Sequence, residues 1–362
     1  MTDRLATPVR IALAGSVGSS RRTLEALLRH KAHLVGVLEL DAAAAAGVSG
    51  YAPLADLAVS AGVPWQRFRR INVPEVVETV RRWRPDLLFV TGLSQLVGDE
   101  LLAIPSLGCV GFHPTRLPHG RGRAPLAWLT LDGCGGAATF FLMDAGADSG
   151  PILVQEPFEI KPGDDAAAVG ESLLLAMDRA LDAWLPRLIA GEWTTRTQDH
   201  SQATYFGRRA PEDGHIDWNR SAADIVRLVG ASTRPHPGAY VYVGGHRLRI
   251  WQARVDHTSP HRGVPGRILE GDDTGGWLVQ AGEGMVQIQQ WNFDEPQDDR
   301  LPRLRVGLKL ADSPDDEIFA LRRRVAELEA RLSQVLEIVQ PVETAETEVP
   351  ADPLTRETRR CA

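Results

Sequence analysis

The sequence predicts an α/β fold: a doubly wound, Rossmann-like parallel sheet, then a small β-barrel, then a C-terminal heptad helix. Three observations lead there. Short apolar runs alternate with amphipathic stretches over roughly the first 160 residues, as strands joined by crossover helices require. Past Arg196, turn residues separate closely spaced, short alternating runs, the pattern of a small barrel. From Ile318 to Val339, apolar residues recur at steps of three and four, which places them on one helix face.

The elements follow in order. Val9–Gly15 reads as the first strand. The turn Gly15–Ser20 lacks the GxGxxG spacing of a dinucleotide loop and reads as a tight strand-to-helix connection, leading into a helix through Thr23–Leu28. His33–Leu40 reads as a second strand, and Pro74–Trp83 as a helix with proline in its first turn. Asp86–Val90, Gly108–Phe112, Ala138–Met143 and Ile152–Gln155 are the remaining strands of this half. Ala166–Ala190, with Leu173, Met177, Leu181, Trp184, Leu185 and Leu188, reads as a long closing helix.

The first domain is therefore expected over residues 1–200. A second, over 201–310, holds strands at Ala239–Val243, His246–Ala253, Gly276–Gln280 and Met285–Gln290. Within 311–340, Ile318, Val325, Leu332 and Val339 fall at heptad position a, and Leu321, Leu328 and Val335 at d. β-Branched residues at a with leucine at d lean toward a parallel dimer, so a homodimer through residues 318–339 is expected. Residues 341–362 are polar, rich in Pro, Thr and Glu, and expected to be disordered.

Composition narrows the function classes. The 362 residues carry 40 Lys+Arg against 47 Asp+Glu, and 43% are apolar, an ordinary globular balance. A net charge of −7 argues against a nucleic-acid partner, which would need a basic face. Three cysteines (Cys109, Cys134, Cys361) without a CxxC pair exclude a disulfide framework and a structural zinc cluster, and no metal is expected. No apolar run approaches the ~20 residues of a membrane span. No signal-peptide core precedes the first strand, so a cytoplasmic protein without membrane partners is expected.

The densest unusual stretch is Gly111–Pro125 (GFHPTRLPHGRGRAP), which places His113 at the carboxyl end of a strand. Open α/β sheets bind ligands at such ends. A second cluster, Met143–Gly150 (MDAGADSG), forms the loop between the next two strands. A histidine and an acid at one sheet edge can pair, the acid orienting the imidazole and stabilising its charged form. Either motif alone has an ordinary explanation, a packed histidine or a turn.

Together, HPTRLPHGRGRAP and TFFLMDAGADSG resemble the formyltransferases that use 10-formyltetrahydrofolate, a family that includes methionyl-tRNA formyltransferase, the sugar-nucleotide N-formyltransferases and glycinamide ribonucleotide transformylase. Pro85-Asp-Leu-Leu-Phe and Leu101-Leu fit as well. So does Asp213–Trp218 followed by Arg234–Tyr240, which looks like the entry to that family's OB-like C-terminal barrel. The resemblance covers roughly residues 8–300 and leaves out the heptad helix.

The resemblance implies transfer of a formyl group from the folate N10 to a primary amine. It makes His113 the acid/base and oxyanion partner, and Asp148 the group that orients and charges it. It puts the pterin slot at the backbone of Gln95, Leu96 and Val97 together with Asp144, Ala145, Gly146, Ala147 and Asp148. It makes Arg123 a substrate-binding position, suited to phosphate or carboxylate, with Arg121 fixing the loop.

One departure matters. The family's catalytic asparagine falls on Gly111, which has no side chain to donate. Losing a preorganised oxyanion donor costs on the order of 10²–10³ in rate. Gln95 is the favoured replacement, because its loop faces the same slot. The other readings are transfer resting on protonated His113 alone, and folate binding without transfer.

The acceptor is narrowed by Asp41–Tyr51, which holds no basic residue where tRNA-acting members carry a lysine-rich insertion. A nucleotide-linked amino sugar is the expected amine, and tRNA is not. The alternatives are a small amino acid, a siderophore-precursor amine, methionyl-tRNA, water, or a folate-binding scaffold with no acceptor at all. Trp128, Trp193, Tyr205 and Trp218 could stack on a base, but packing explains each equally well.

Overall fold

The computed structural model describes residues 8–45, 47–295, 301–311 and 314–339. In chain order its first half runs β1 (Arg10–Gly15), α1 (Gly18–Arg29), β2 (His33–Leu40), α2 (Ala55–Ser60), β3 (Trp65–Phe68), α3 (Pro74–Trp83), β4 (Leu87–Thr91), α4 (Asp99–Leu102), β5 (Gly108–His113), β6 (Arg121–Gly122), α5 (Pro125–Asp132), β7 (Gly136–Leu142), β8 (Ile152–Phe158) and α6 (Ala166–Ile189). Seven of these strands form one sheet in the order β3-β2-β1-β4-β5-β7-β8. The pairs from β3 to β5 are parallel, whereas β7 runs antiparallel to both β5 and β8.

The sheet is apolar on both faces because helices cover both. Ile11, Leu13, Leu87 and Phe89 point into a core closed by Leu24 and Leu27 of α1 and by Leu173, Met177, Leu181 and Leu185 of α6. Their neighbours Ala12, Ala14, Leu88 and Val90 face the opposite core, closed by Val76, Val77 and Val80 of α3. This alternation explains the near-continuous apolar runs in the sequence. Asp165 caps α6, its carboxylate accepting from the N–H groups of Ala167 and Ala168 at 3.0 Å.

The second half runs β9 (Tyr205–Phe206), α7 (Ala222–Ser232), β10 (Ala239–Val243), β11 (His246–Asp256), β12 (Ile268–Gly271), β13 (Trp277–Gln280) and β14 (Met285–Phe293). Five strands make an antiparallel sheet in the order β10-β11-β14-β13-β12. Among the described residues β10 and β12 do not pair with each other, so this sheet is not closed by hydrogen bonds. Its core joins Ile225 and Val229 of α7 to Val241, Leu248, Ile250, Val279, Val286 and Ile288. Packing of α5 against α7, and a short parallel pairing of β9 with β6, tie the two halves into one compact unit through Ala311.

Several elements escape the sequence reading. Helix α5 starts at Pro125, the end of the Gly111–Pro125 stretch, and has no counterpart in the sequence reading. Helix α7 carries Ala222, Ile225 and Val229 at helical spacing in a region otherwise rich in turns. Strand β3 is only four residues long and too short to show a period.

The second unit is described by itself. It contains α8 (Pro314–Val339), on which Ile318, Leu321, Val325, Leu328, Leu332 and Val335 are each about half exposed. The Val339 side chain and the expected disorder of 341–362 lie outside the described residues. No described helix is long and apolar enough to cross a membrane.

The turn from β1 into α1 is locked by Ser20. Its hydroxyl accepts from the N–H groups of Ser16 (2.9 Å) and Val17 (3.1 Å) and donates to the Thr91 carbonyl at the end of β4 (2.5 Å). A buried hydroxyl with three backbone partners leaves all three unsatisfied when removed. Ser20→Ala is therefore expected to lower stability by about 1–3 kcal/mol, read as a reduced urea midpoint at unchanged m-value.

Candidate active site

His113 ends β5, and the chain after Pro114 folds back over it. Thr115 holds that loop by donating to the His119 carbonyl (2.7 Å), while its own carbonyl accepts from the Thr139 hydroxyl (2.6 Å). The loop returns the Gly120 carbonyl to His113 Nε2 at 2.7 Å. A carbonyl only accepts, so Nε2 carries the hydrogen and Nδ1 is the bare nitrogen of the neutral ring. Nδ1 lies 3.5 Å from Asp148 Oδ2. The ring is 5% exposed, and burial pushes its pKa below the ordinary 6.5 against the opposing pull of the Asp148 charge and the Gly120 carbonyl.

Asp148 occupies the loop between β7 and β8 with a left-handed φ of +52°. Two contacts hold it. The Gly122 N–H donates to its Oδ2 at 2.9 Å, and Gln198 Nε2 donates to its carbonyl at 2.9 Å. Earlier in the loop, Asp144 Oδ1 accepts from the Gly146 N–H (3.0 Å) and the Ser149 hydroxyl (2.6 Å), an Asx-type turn. Ala145, Gly146 and Ala147 form its exposed crest.

Gly111 sits opposite Phe141 in the β5–β7 register. A Cβ placed at 111 would lie 2.7 Å from Phe141 Cζ and 3.0 Å from Met143 Cγ. The volume a side chain would need is filled by an aromatic ring, which accounts physically for glycine at this position.

Gln95 is held by the segment before α3. Its Oε1 accepts from the Ile71 N–H (2.8 Å), and its Nε2 donates to the Arg69 carbonyl (2.9 Å). These bonds leave one amide hydrogen uncommitted and make the side chain a brace between the loop after β4 and the segment before α3. Asn72 completes that brace, donating to the Leu96 carbonyl and accepting from the Gly98 N–H, both at 2.8 Å. The loop thus presents Leu96 at 88% exposure, and the N–H groups of Leu96 and Val97 have no acceptor among the described residues. A rigid loop with free donors and an exposed apolar side chain fits the edge and face of a flat heterocycle.

Arg121 is buried and bonds to Gln198 Oε1 through Nε (3.2 Å) and Nη2 (2.7 Å). Arg123 is exposed, its backbone N–H donating to the Phe206 carbonyl (3.1 Å), and its guanidinium has no partner among the described residues. Trp128 stacks on Phe206 with centroids 6.0 Å apart and donates to the Gly207 carbonyl, while Trp218 and Trp193 belong to the two cores. Tyr205 is exposed and receives a hydrogen bond from Arg121. Cys109 is buried, with its thiol pKa pushed up to about 12, so it is no nucleophile. Among the described residues no three His, Cys, Asp or Glu side chains converge as a metal site.

The structure thus brings His113, Asp148 and the RGR loop together, and directs the Gln95 amide into a loop brace. Gln198, Asn72 and Phe141 are the partners that the sequence reading missed. Gln198 lies in a turn-rich stretch with no pattern to mark it. Phe141 reads there only as a strand residue.

Comparison with known proteins follows the same outline. Residues 31–183 match the model of the formyl transferase domain, and residues 209–297 that of the formyl transferase C-terminal domain. Among solved structures, HypX from Aquifex aeolicus in complex with tetrahydrofolic acid is 18% identical, with a TM-score of 0.58 over 80% of this chain and 45% of that one. The chain therefore spans about half the length of HypX. WlaRD, a sugar 3N-formyl transferase crystallised with dTDP and 5-N-formyl-THF, is 14% identical, with a TM-score of 0.58 over 78% of this chain and 98% of that one. The N-formyltransferase from Helicobacter canadensis, in complex with folinic acid and dTDP-3-aminofucose, is 15% identical, with a TM-score of 0.57 over 78% and 100%. At these identities the likeness shows the fold.

Two outcomes are expected. Gly111→Ala forces Phe141 or Met143 to move and lowers stability by about 1–3 kcal/mol, and Phe141→Ala in the same chain relieves the added crowding, measured as non-additivity in a denaturation double-mutant cycle. Because the folded His113 pKa is depressed, the unfolded chain binds the extra proton first as pH falls below 6.5, and stability drops there. The His113→Gln variant should lose that part of the pH dependence in urea titrations between about pH 5 and 8.

Proposed function

Because this chain belongs to the formyl transferase family, we propose that it moves a formyl group from 10-formyltetrahydrofolate to the primary amine of a nucleotide-linked amino sugar. The observation that carries the chemistry is the buried His113 ring, with its hydrogen held on Gly120 and its bare Nδ1 beside Asp148. The slot for the folate is read as the braced 92–98 loop, whose Leu96 and Val97 N–H groups have no acceptor among the described residues, facing the Asp144–Asp148 turn. When bound there, the co-substrate supplies the activated formyl carbon.

The chain's own residues then have definite work. As the amine bonds to the formyl carbon, Nδ1 of His113 takes the proton it loses, and the resulting imidazolium is paired by Asp148. The carbon–N10 bond breaks, and the same proton returns to N10. With Gly111 unable to donate and the Gln95 amide braced elsewhere, the charged His113 is the electrostatic partner of the formyl oxygen. Asp148 makes that possible by offsetting the burial that keeps the free ring neutral.

The acceptor reading rests on chemistry around the slot. Arg123 offers a guanidinium that has no partner among the described residues and is suited to a phosphate. The segment Asp41–Tyr51 has no basic residue to meet an RNA backbone. We divide the labour as catalysis over residues 1–200, with 201–310 as a second domain bracing the RGR loop through β9. The exposed seam of α8 is read as a self-association surface. In a parallel pair, Arg324 at g faces Glu329 at e of a second copy. The antiparallel alignment that keeps the seam in register would instead set Arg324 against Arg331.

The decisive experiment incubates the full chain with 10-formyltetrahydrofolate and a panel of aminated nucleotide sugars, small amino acids and methionyl-tRNA, reading formylated product by mass. Formylated amino sugar is expected, falling on the order of 10²–10⁴-fold in His113→Ala. Product from tRNA or amino acids alone would overturn the acceptor assignment, and folate binding without product from any amine would overturn transfer. Light scattering should give a dimer that Leu328→Asp converts to a monomer.

A further inference from the structure

Gln198 lies outside both motif stretches and is 3% exposed. The chemistry of its neighbours fixes which way its amide points. Arg121 has only donors, so Oε1 must face it, at 3.2 Å from Nε and 2.7 Å from Nη2. The carbonyls of Asp148 and Gly150 only accept, so Nε2 must face them, at 2.9 and 2.6 Å. Arg121 is itself 2% exposed, and among the described residues no carboxylate lies within ion-pair distance of it. Its other partners are the Tyr205 hydroxyl and the bare Nδ1 of His200, each at 3.2 Å.

A buried guanidinium would ordinarily be matched by an acid. A glutamate at 198 would supply that charge, but its oxygens would repel the two carbonyls that the amide now binds. We propose that Gln198 is the positioning residue that holds Asp148 against His113, with Arg121 buried behind it to orient and polarise its amide. Asp148 needs such a hold because its left-handed φ of +52° is uphill for any residue with a Cβ. Gln198 restrains its backbone, while the Gly122 N–H restrains its carboxylate. Without Gln198 the turn relaxes toward negative φ and carries the carboxylate away from His113. Among the described residues, that carboxylate is the one charged side chain within ion-pair distance of the ring.

The inference rests on the formyl-transfer reading only for its kinetic test. In the full chain, NMR titration of the His113 ring is compared between wild type, Gln198→Ala and the near-isosteric Gln198→Glu, with thermal melting to verify folding and tetrahydrofolate affinity measured alongside. In Gln198→Ala the His113 midpoint should move to lower pH, because the Asp148 charge that supports the imidazolium has receded. In both variants kcat should fall on the order of 10- to 100-fold, with a smaller change in KM for the formyl donor and in tetrahydrofolate affinity, because the Asp144–Asp148 turn also borders the folate slot. Gln198→Glu should lose that activity even though it gives Arg121 a counter-ion. Wild-type kcat in Gln198→Glu, or an unmoved His113 midpoint in folded Gln198→Ala, would overturn the proposal. The titration needs no acceptor, so it decides the matter even if the wild-type chain transferred no formyl group, a result that would sink the function reading alone.

Discussion

The hydrogen bond from His113 Nε2 to the Gly120 carbonyl is the contact on which this site depends. It closes the loop that follows β5 and fixes the tautomer, so that Nδ1 is the nitrogen left for chemistry. It also buries the ring, which makes the neutral form the resting one. The same loop then places the Gly122 N–H on Asp148, so one closure sets both members of the pair. Depressed proton affinity in the free ring and a carboxylate ready to support its charged form suit a group that must take a proton and give it back.

The trade at Gly111 shows how a strand pair redistributes volume. Antiparallel pairing puts residue 111 directly opposite Phe141, so the two side chains compete for one space. Here the ring has it all, and the strand carries glycine. The site consequently lacks a side-chain amide at 111, and no single substitution restores one without moving the ring. Gln95, the other amide nearby, braces two loops and gives the 92–98 segment its rigidity. A site that has to recognise a flat heterocycle gains from rigid backbone donors, because little ordering remains to be done on binding.

The parallel strands were legible because burial on both faces writes long apolar runs into the sequence. The hairpin of β7 and β8 was legible as two strands but not as an antiparallel return, since direction leaves no mark in hydrophobicity. His113, Asp148 and Arg123 stood out because motif residues cluster along the chain. Gln198 did not, as it meets Asp148 from fifty positions away, through a segment whose turn residues carry no period. Asn72 is hidden for the same reason, and Phe141 because its ring is simply a strand residue until its partner is known.

By itself the sequence determined the main strands of the first sheet, the long helices α1, α3 and α6, the heptad seam of α8, and the acid and histidine that share one sheet edge. These are local properties of pattern, composition and spacing. Only the tertiary structure decided which nitrogen of His113 carries the hydrogen, what fills the space beside Gly111, where the Gln95 amide goes, and what holds Asp148 in its left-handed turn. Each of those depends on a hydrogen-bond partner or a packed ring brought from a distant part of the chain. Such pairings follow from how strands and loops close in space, which no local window of sequence records.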